Sequence, residues 1–331
     1  MSDHRDPRDE MIGQAGQITI EPDDVDPALF VDDDAVIDED IATEGLVVET
    51  IPQWRLAVRK FRRHRVAMVA LVVLGLIVAG AILAPWIAPY GETEQNLQNS
   101  LESPNANFWL GTDNLGRDNF SRILYGGRVS IAVGVAVALI VGTLGTTVGV
   151  IAGYFGGFVD SALMRVTDTL LALPFLMIVI VLARILGDGV WDIVLVLSLF
   201  GWMTLARIIR GQVLSLKQRE FVEAARALGT PNRRIISRHL LPNLVGVITV
   251  NVSLTVAVAI LAESTLSFFG LGIDPTQTAT WGNMLGGNEG FVTTAPWLVW
   301  FPGLAIVITV LSINFIGDGM RDALDPTQGK H

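Results

Sequence analysis

The sequence predicts an all-α integral membrane protein with six transmembrane helices and both termini in the cytoplasm. Three observations carry that expectation. Of the 331 residues 51% are hydrophobic, and the mean hydropathy is positive. Apolar stretches of about 20 residues, the length that crosses a bilayer, recur along the chain. The Lys and Arg residues between those stretches fall overwhelmingly on one side. Cysteine is absent, which removes disulfides and thiolate metal or redox sites from consideration.

The first 50 residues form an acidic head. They carry 16 Asp and Glu against two Arg, a net charge of −14, whereas the remaining 281 residues carry a net +4. A run such as "DDDAVIDEDIATE" repels itself and has little to bury, so the head is expected to be disordered. It has no basic start followed by an apolar core, so no cleavable signal peptide is expected. Two readings of its role compete: a solvating tail suited to a very salty cytoplasm, and a regulator that folds back on a basic segment. Its scattered acids form no defined surface and salt screens them, which favours the first.

Residues 51–65 form a basic interfacial segment, "RLAVRKFRRHR", that meets anionic lipid. A nucleic-acid role is not expected so close to a span. The membrane domain, 66–320, holds predicted spans at Val66–Ala88, Ser130–Gly153, Ala162–Leu186, Val190–Ile208, Leu244–Leu266 and Pro296–Ile316. The third is the weakest, with Arg165 and Asp168 in its first turns, where the two pair at i, i+3, and Pro174 inside it. "GDGV" after it reads as a tight turn. With the amino terminus inside, 17 Lys and Arg flank the cytoplasmic ends and four the outer ends, a decisive asymmetry. Residues 321–331 are then a cytoplasmic tail. In the outer connection 89–129, Phe120, Ile123 and Leu124 predict a short helix on the bilayer surface. In the connection 267–295, Trp281 reads as an interfacial anchor.

The cytoplasmic loop 209–243 contains "EFVEAARALGTPNRRIISRHLLPN" (220–243). Phe221, Ala224, Ala225 and Leu228 make one apolar stripe of a short helix. Glu220 and Glu223 suit its first turns, and Gly229 is a stop signal. Thr230 as N-cap and Pro231 as first helical residue predict a second helix that Pro242 ends. Ala224, Ala225 and Gly229 permit close approach of another backbone.

These positions resemble the cytoplasmic "EAA" loop of ABC-importer permease subunits: Glu223, Ala224, Ala225, Gly229, Leu241 and Pro242. The wider family favours Ile where this chain has His239, and "RHLLPN" is similar to the peptide/nickel branch. "LGTDNLGRDNFSRILYGGRVS" (110–130), "AGYFGGFVDSALMRVTDTLLALP" (152–174), "LAESTLSFFGLGI" (261–273), "WGNML" (281–285) and "GDGMRDALDP" (317–326) look like the same branch. The resemblance spans roughly residues 55 to 326. It implies a type I ABC importer permease fold in a prokaryotic cell membrane. It also implies that the loop seats in a groove of an ATPase subunit, that two ATPase subunits or domains serve the complex, that a second homologous permease chain completes the pathway, and that an extracytoplasmic substrate-binding protein meets the outer face. Di- or oligopeptides are the implied substrates.

No G-x-x-x-x-G-K-[ST] segment occurs. ATP and Mg are therefore expected on the partner ATPase subunits, with no cofactor on this chain. No catalytic set or metal-ligand spacing is evident among the four histidines, so the chain is not expected to be an enzyme. Glu263 and Asn251, ionisable or polar at membrane depth, are candidates for the substrate pathway. For Glu263, buried hydrogen bonding between spans competes evenly; for Asn251, interhelical hydrogen bonding is the blander role. A stand-alone secondary transporter or channel is the alternative function, disfavoured by the few buried acids and by the basic docking loop.

Overall fold

The computed structural model describes residues 53–324; the acidic head and the last seven residues lie outside them. Among the described residues all regular elements are helical, apart from an isolated bridge between Thr112 and Asp118. In chain order the helices are α1 (Gln53–Arg63), α2 (Arg65–Ile82), α3 (Ala84–Ile87), α4 (Asn119–Phe155), α5 (Gly157–Leu171), α6 (Phe175–Leu186), α7 (Val190–Leu216), α8 (Glu220–Ala227), α9 (Asn232–Ile235), α10 (Leu241–Phe268), α11 (Trp281–Leu285) and α12 (Trp297–Leu324). A π-turn, Ile236–Leu240, joins α9 to α10.

Five of the six expected spans are single helices long and apolar enough to cross a membrane: α2, α4, α7, the continuous run from Asn232 to Phe268, and α12. The expected third span, Ala162–Leu186, is instead two helices, α5 and α6, bent by 85°. Pro174 is the cause. It brings no N–H, and it biases Leu173 away from helical angles, so α6 restarts with Pro174 as its N-cap. The expected pairing of Arg165 with Asp168 is also replaced, because Asp168 bonds Arg207 of α7. The "GDGV" turn holds: α6 stops at Gly187, φ 122°, and Gly189 caps α7.

The centre of the bundle is α4, 37 residues long, or about 55 Å at 1.5 Å per residue. It exceeds the ~30 Å of a bilayer's apolar core, so it projects beyond it. The expected surface helix at Phe120, Ile123 and Leu124 is the first part of α4. Asp118 starts the helix there, accepting from the Ser121 amide at 2.8 Å and from the Ser121 hydroxyl at 2.6 Å. Glycine lets two neighbours close on α4. A Cβ at Gly149 would lie 2.6 Å from the Ala206 carbonyl oxygen, and one at Gly153 2.8 Å from the Val213 Cβ, both on α7. Toward α10, a Cβ at Gly142 would lie 2.7 Å from a Val252 methyl. Such small-residue seams bring helix backbones together where lipid supplies no hydrophobic drive.

At the start of the described chain, His64 caps α2 by accepting from the Ala67 amide at 3.1 Å. The buried Ala67 and Ala70 then seat α2 on α12, where a Cβ at Gly319 would come within 2.5 Å of the Ala67 Cβ. First and last spans are thus neighbours.

Candidate functional site

The segment 220–243 forms a short helix, a corner and a second helix, as its sequence predicts, with differences at both ends of the second. At the corner, Gly229 has φ 74°. Its amide donates to the Arg226 carbonyl at 3.0 Å, and the Thr230 amide donates to the Ala225 carbonyl at 3.1 Å. These two bonds define a Schellman motif, which needs a left-handed residue at that position. The expected N-cap, Thr230, is displaced by Pro231 (φ −65°, ψ 145°). Pro242 does not end the helix. The π-turn ahead of it supplies a wider ring, in which the Leu241 amide reaches the Ile236 carbonyl. Pro242 then sits at the start of α10, where a missing N–H costs little.

The stripe divides when seen in three dimensions. Ala225 faces inward together with Val222, which is completely buried and which the spacing argument missed. Phe221, Ala224 and Leu228 face outward, and Leu228 is 85% exposed. Glu220, Glu223 and Arg226 flank them, with Glu220 and Glu223 exposed. The inward face packs on Val150, Leu205, Ile209, Ile235, Leu240 and Leu244, joining α8 to α4, α7 and α10.

Tyr154, at the end of α4, ties the joint. Its hydroxyl donates to Asn232 Oδ1 at 2.7 Å, and Lys217 donates to its carbonyl at 2.6 Å. Only a polar aromatic ending a glycine-rich span hinted at Tyr154 in the sequence. His239 stacks loosely on Phe221, with ring centroids 6.3 Å apart, and Leu241 is half-buried nearby.

A second feature lies between α4 and α10. A groove of about 740 Å³ is lined by apolar side chains and by Thr143, Thr146, Thr147, Thr249 and Ser253. Thr143, Thr147 and Thr249 turn their hydroxyls onto carbonyls four residues back, each at 2.7 Å, which presents their methyl groups outward. Neither Glu263 nor Asn251 lines this groove. Asn251 is half-buried and donates to the Val247 carbonyl of its own helix at 2.8 Å. Glu263 is completely buried; Ser267 donates to it at 2.8 Å and Ser130 of α4 at 3.4 Å.

The outer connections lock together. Arg117 bonds Asp113 at 2.6 Å and the Pro275 carbonyl at 3.2 Å, while Arg122 donates to the Glu92 carbonyl at 3.0 Å. Glu92 in turn accepts from the Ala279 amide at 2.9 Å. Trp281 is not an interfacial anchor: it is 1% exposed, packed against Gly127, and donates to the Ile123 carbonyl at 3.0 Å. Burial wins because glycine at 127 leaves room for the indole. In the loop before it, the Thr276 amide, and then its hydroxyl, hold the Asp274 carboxyl below the usual carboxylate range.

Membrane-length helices, an apolar groove between two of them, and a rigid helix-corner-helix rooted in the same two define a membrane permease component. The chain belongs to the family of binding-protein-dependent transport system inner membrane components, whose model matches residues 145–330. Residues 52–104 match the N-terminal transmembrane domain of oligopeptide transport permease C. The chain is 44% identical over 286 residues to the Escherichia coli K12 oligopeptide permease protein OppC, covering 86% of this chain and 94% of that one. The Bacillus subtilis OppC is 41% identical, with 86% and 92% covered. The B. subtilis dipeptide permease protein DppC is 42% identical, with 81% and 84% covered. The fold is also that of a chain in inward-facing structures of the MetNI methionine ABC transporter. There the TM-score is 0.51 at 17% identity, covering 62% of this chain and 96% of that one.

Proposed function

We propose that this chain is one half of the translocation pathway of an ATP-driven importer of di- or oligopeptides. In this reading two ATPase subunits or domains bind ATP and Mg, a second homologous permease chain supplies the other half, and an extracytoplasmic binding protein delivers the substrate. Both termini face the cytoplasm. The peptide assignment rests on the relatives' names, OppC and DppC. The orientation rests on the Lys and Arg asymmetry.

The observation that carries the docking role is the division of α8. Val222 and Ala225 root it in the bundle, while Phe221, Ala224 and Leu228 remain uncovered around a rigid corner. An exposed leucine leaves apolar surface in water unless another chain covers it. Force applied to that face passes through Tyr154, Asn232 and the buried cluster to α4 and α10, and so to both walls of the groove. The groove's methyl-rich, uncharged wall suits passage of varied peptides better than tight retention, and Glu263 serves to tie α10 to α4.

The test is Leu228→Asp in the complete complex reconstituted in vesicles. Peptide uptake should fall by about tenfold or more, since a buried anchor contributes about 1.4 kcal/mol or more at an interface, while membrane insertion is unchanged. Peptide flux through this chain alone in liposomes would overturn the proposal in favour of a stand-alone transporter.

A further inference from the structure

The first and last spans enclose a second groove, of about 400 Å³, that the transport cycle does not account for. Its walls are Val66, Val69 and Val73 of α2 and Ile308, Leu311 and Phe315 of α12, and its one charged lining residue is Arg65. From Arg65 to Val73 the groove runs about 12 Å along α2 at 1.5 Å per residue. That is most of one leaflet of a ~30 Å apolar core. Arg65 is exposed and has no acidic partner among the described residues. Arg62 and Arg63 are exposed just before it. Of the acids that follow Phe315 on α12, Asp322 lies 3.7 Å from His64 rather than on Arg65, and Asp318 is exposed beside Gly319, which packs on Ala67.

We infer that this groove holds one acyl chain of an anionic phospholipid, with the headgroup phosphate on Arg65. The match is in both length and charge. The apolar walls extend one leaflet deep, and the single cation stands where a phosphate emerges from that leaflet. Buried Ala67 seats α2 on α12, and buried Ala70 lies at the groove's floor. The cleft is therefore a feature of the packed helix pair rather than of either helix alone. A neutral-headed lipid satisfies the walls equally but leaves no net charge for Arg65. Retention is selective for anionic headgroups, by about fivefold for one such cation near the surface.

The full complex, purified in mild detergent and exchanged into nanodiscs of equal phosphatidylglycerol and phosphatidylcholine, provides the test. Lipids retained after re-extraction are counted by mass spectrometry, and a photo-crosslinker at Val69, which is 64% exposed, identifies what occupies the groove. Phosphatidylglycerol should be retained in about fivefold excess and crosslink to Val69. Arg65→Gln should abolish the excess, and Arg65→Lys should keep it. Val69→Trp should reduce retention of both lipids; it alters an exposed position and leaves the Ala67 seam intact. Equal retention of the two lipids, an excess unaffected by Arg65→Gln, or crosslinking to the second permease chain would each overturn the inference.

Discussion

Gly229 and Leu228 are adjacent, and their demands are opposite. Under the proposed docking Leu228 needs a partner, whereas Gly229 needs only a backbone angle: a Cβ there would meet nothing within 4 Å, yet φ is 74°. Gly229→Val is therefore a test of strain alone. A left-handed L-residue costs about 1–2 kcal/mol, and β-branching adds to it. The expected outcome is normal insertion with more ATP hydrolysed per peptide imported, measured in reconstituted vesicles; an unchanged ratio would remove the corner from the mechanism. Glu263 invites a different substitution. Glu263→Leu strips the Ser130 and Ser267 hydroxyls of their carboxyl partner. A buried group left unpaired costs about 1–3 kcal/mol, so the thermal midpoint of the purified complex should drop, while Glu263→Gln restores most of it. If Glu263 touched substrate instead, Gln would change the KM for peptide and leave the midpoint alone.

At the scale of the element, α4 is the axis on which the rest is hung. Its glycines meet α7 on one side and α10 on the other, so its two seams differ from the exposed Leu139 and Leu144 by the absence of side chains. Gly149→Val pushes Cβ and its methyls into the Ala206 carbonyl, which lies on a backbone that cannot turn aside. Overpacking of this kind costs about 1–3 kcal/mol. The yield of assembled complex should fall, and Gly211→Val, where nothing lies within 4 Å, should leave it unchanged. Equal losses at both positions would mean that glycine serves insertion rather than packing. The π-turn before Pro242 belongs to the same scale, since it lets the segment 220–243 run without a break into a span that lines the groove.

Across the whole molecule, charge and hydropathy are partitioned rather than blended. The acidic head carries −14 and lies outside the described residues, while the body carries the bundle. From composition, the head is expected to be dispensable for transport. Deleting residues 2–48 should leave uptake and ATPase coupling within about twofold at high salt, because screening at molar salt shortens electrostatic reach to about 3 Å, and the same comparison at low salt tests whether the scattered acids alone form a partner surface. A large change in coupling at high salt would instead make the head a regulator of the docking loop.

The sequence by itself determined the helical class, five of the spans, and the short helix and glycine corner of the segment 220–243. Those depend on local quantities: apolar length, a 3.6-residue period, and one residue able to adopt positive φ. It also determined the family, because the motifs occur in order along the chain. Tertiary structure decided the rest. It chose Val222 over Phe221 and Leu228 as the inward residue of α8 beside Ala225, since a stripe does not say which neighbour lies on which side. It broke the third span at Pro174, buried Trp281 against Gly127, and carried α10 through Pro242 by a π-turn. The inward face of α8 and the burial of Trp281 depend on side chains distant in sequence meeting at a few ångströms, and a one-dimensional pattern holds no record of that distance; at Pro174 and Pro242 the proline is visible in the sequence, but not whether the backbone bends there or widens into a π-turn.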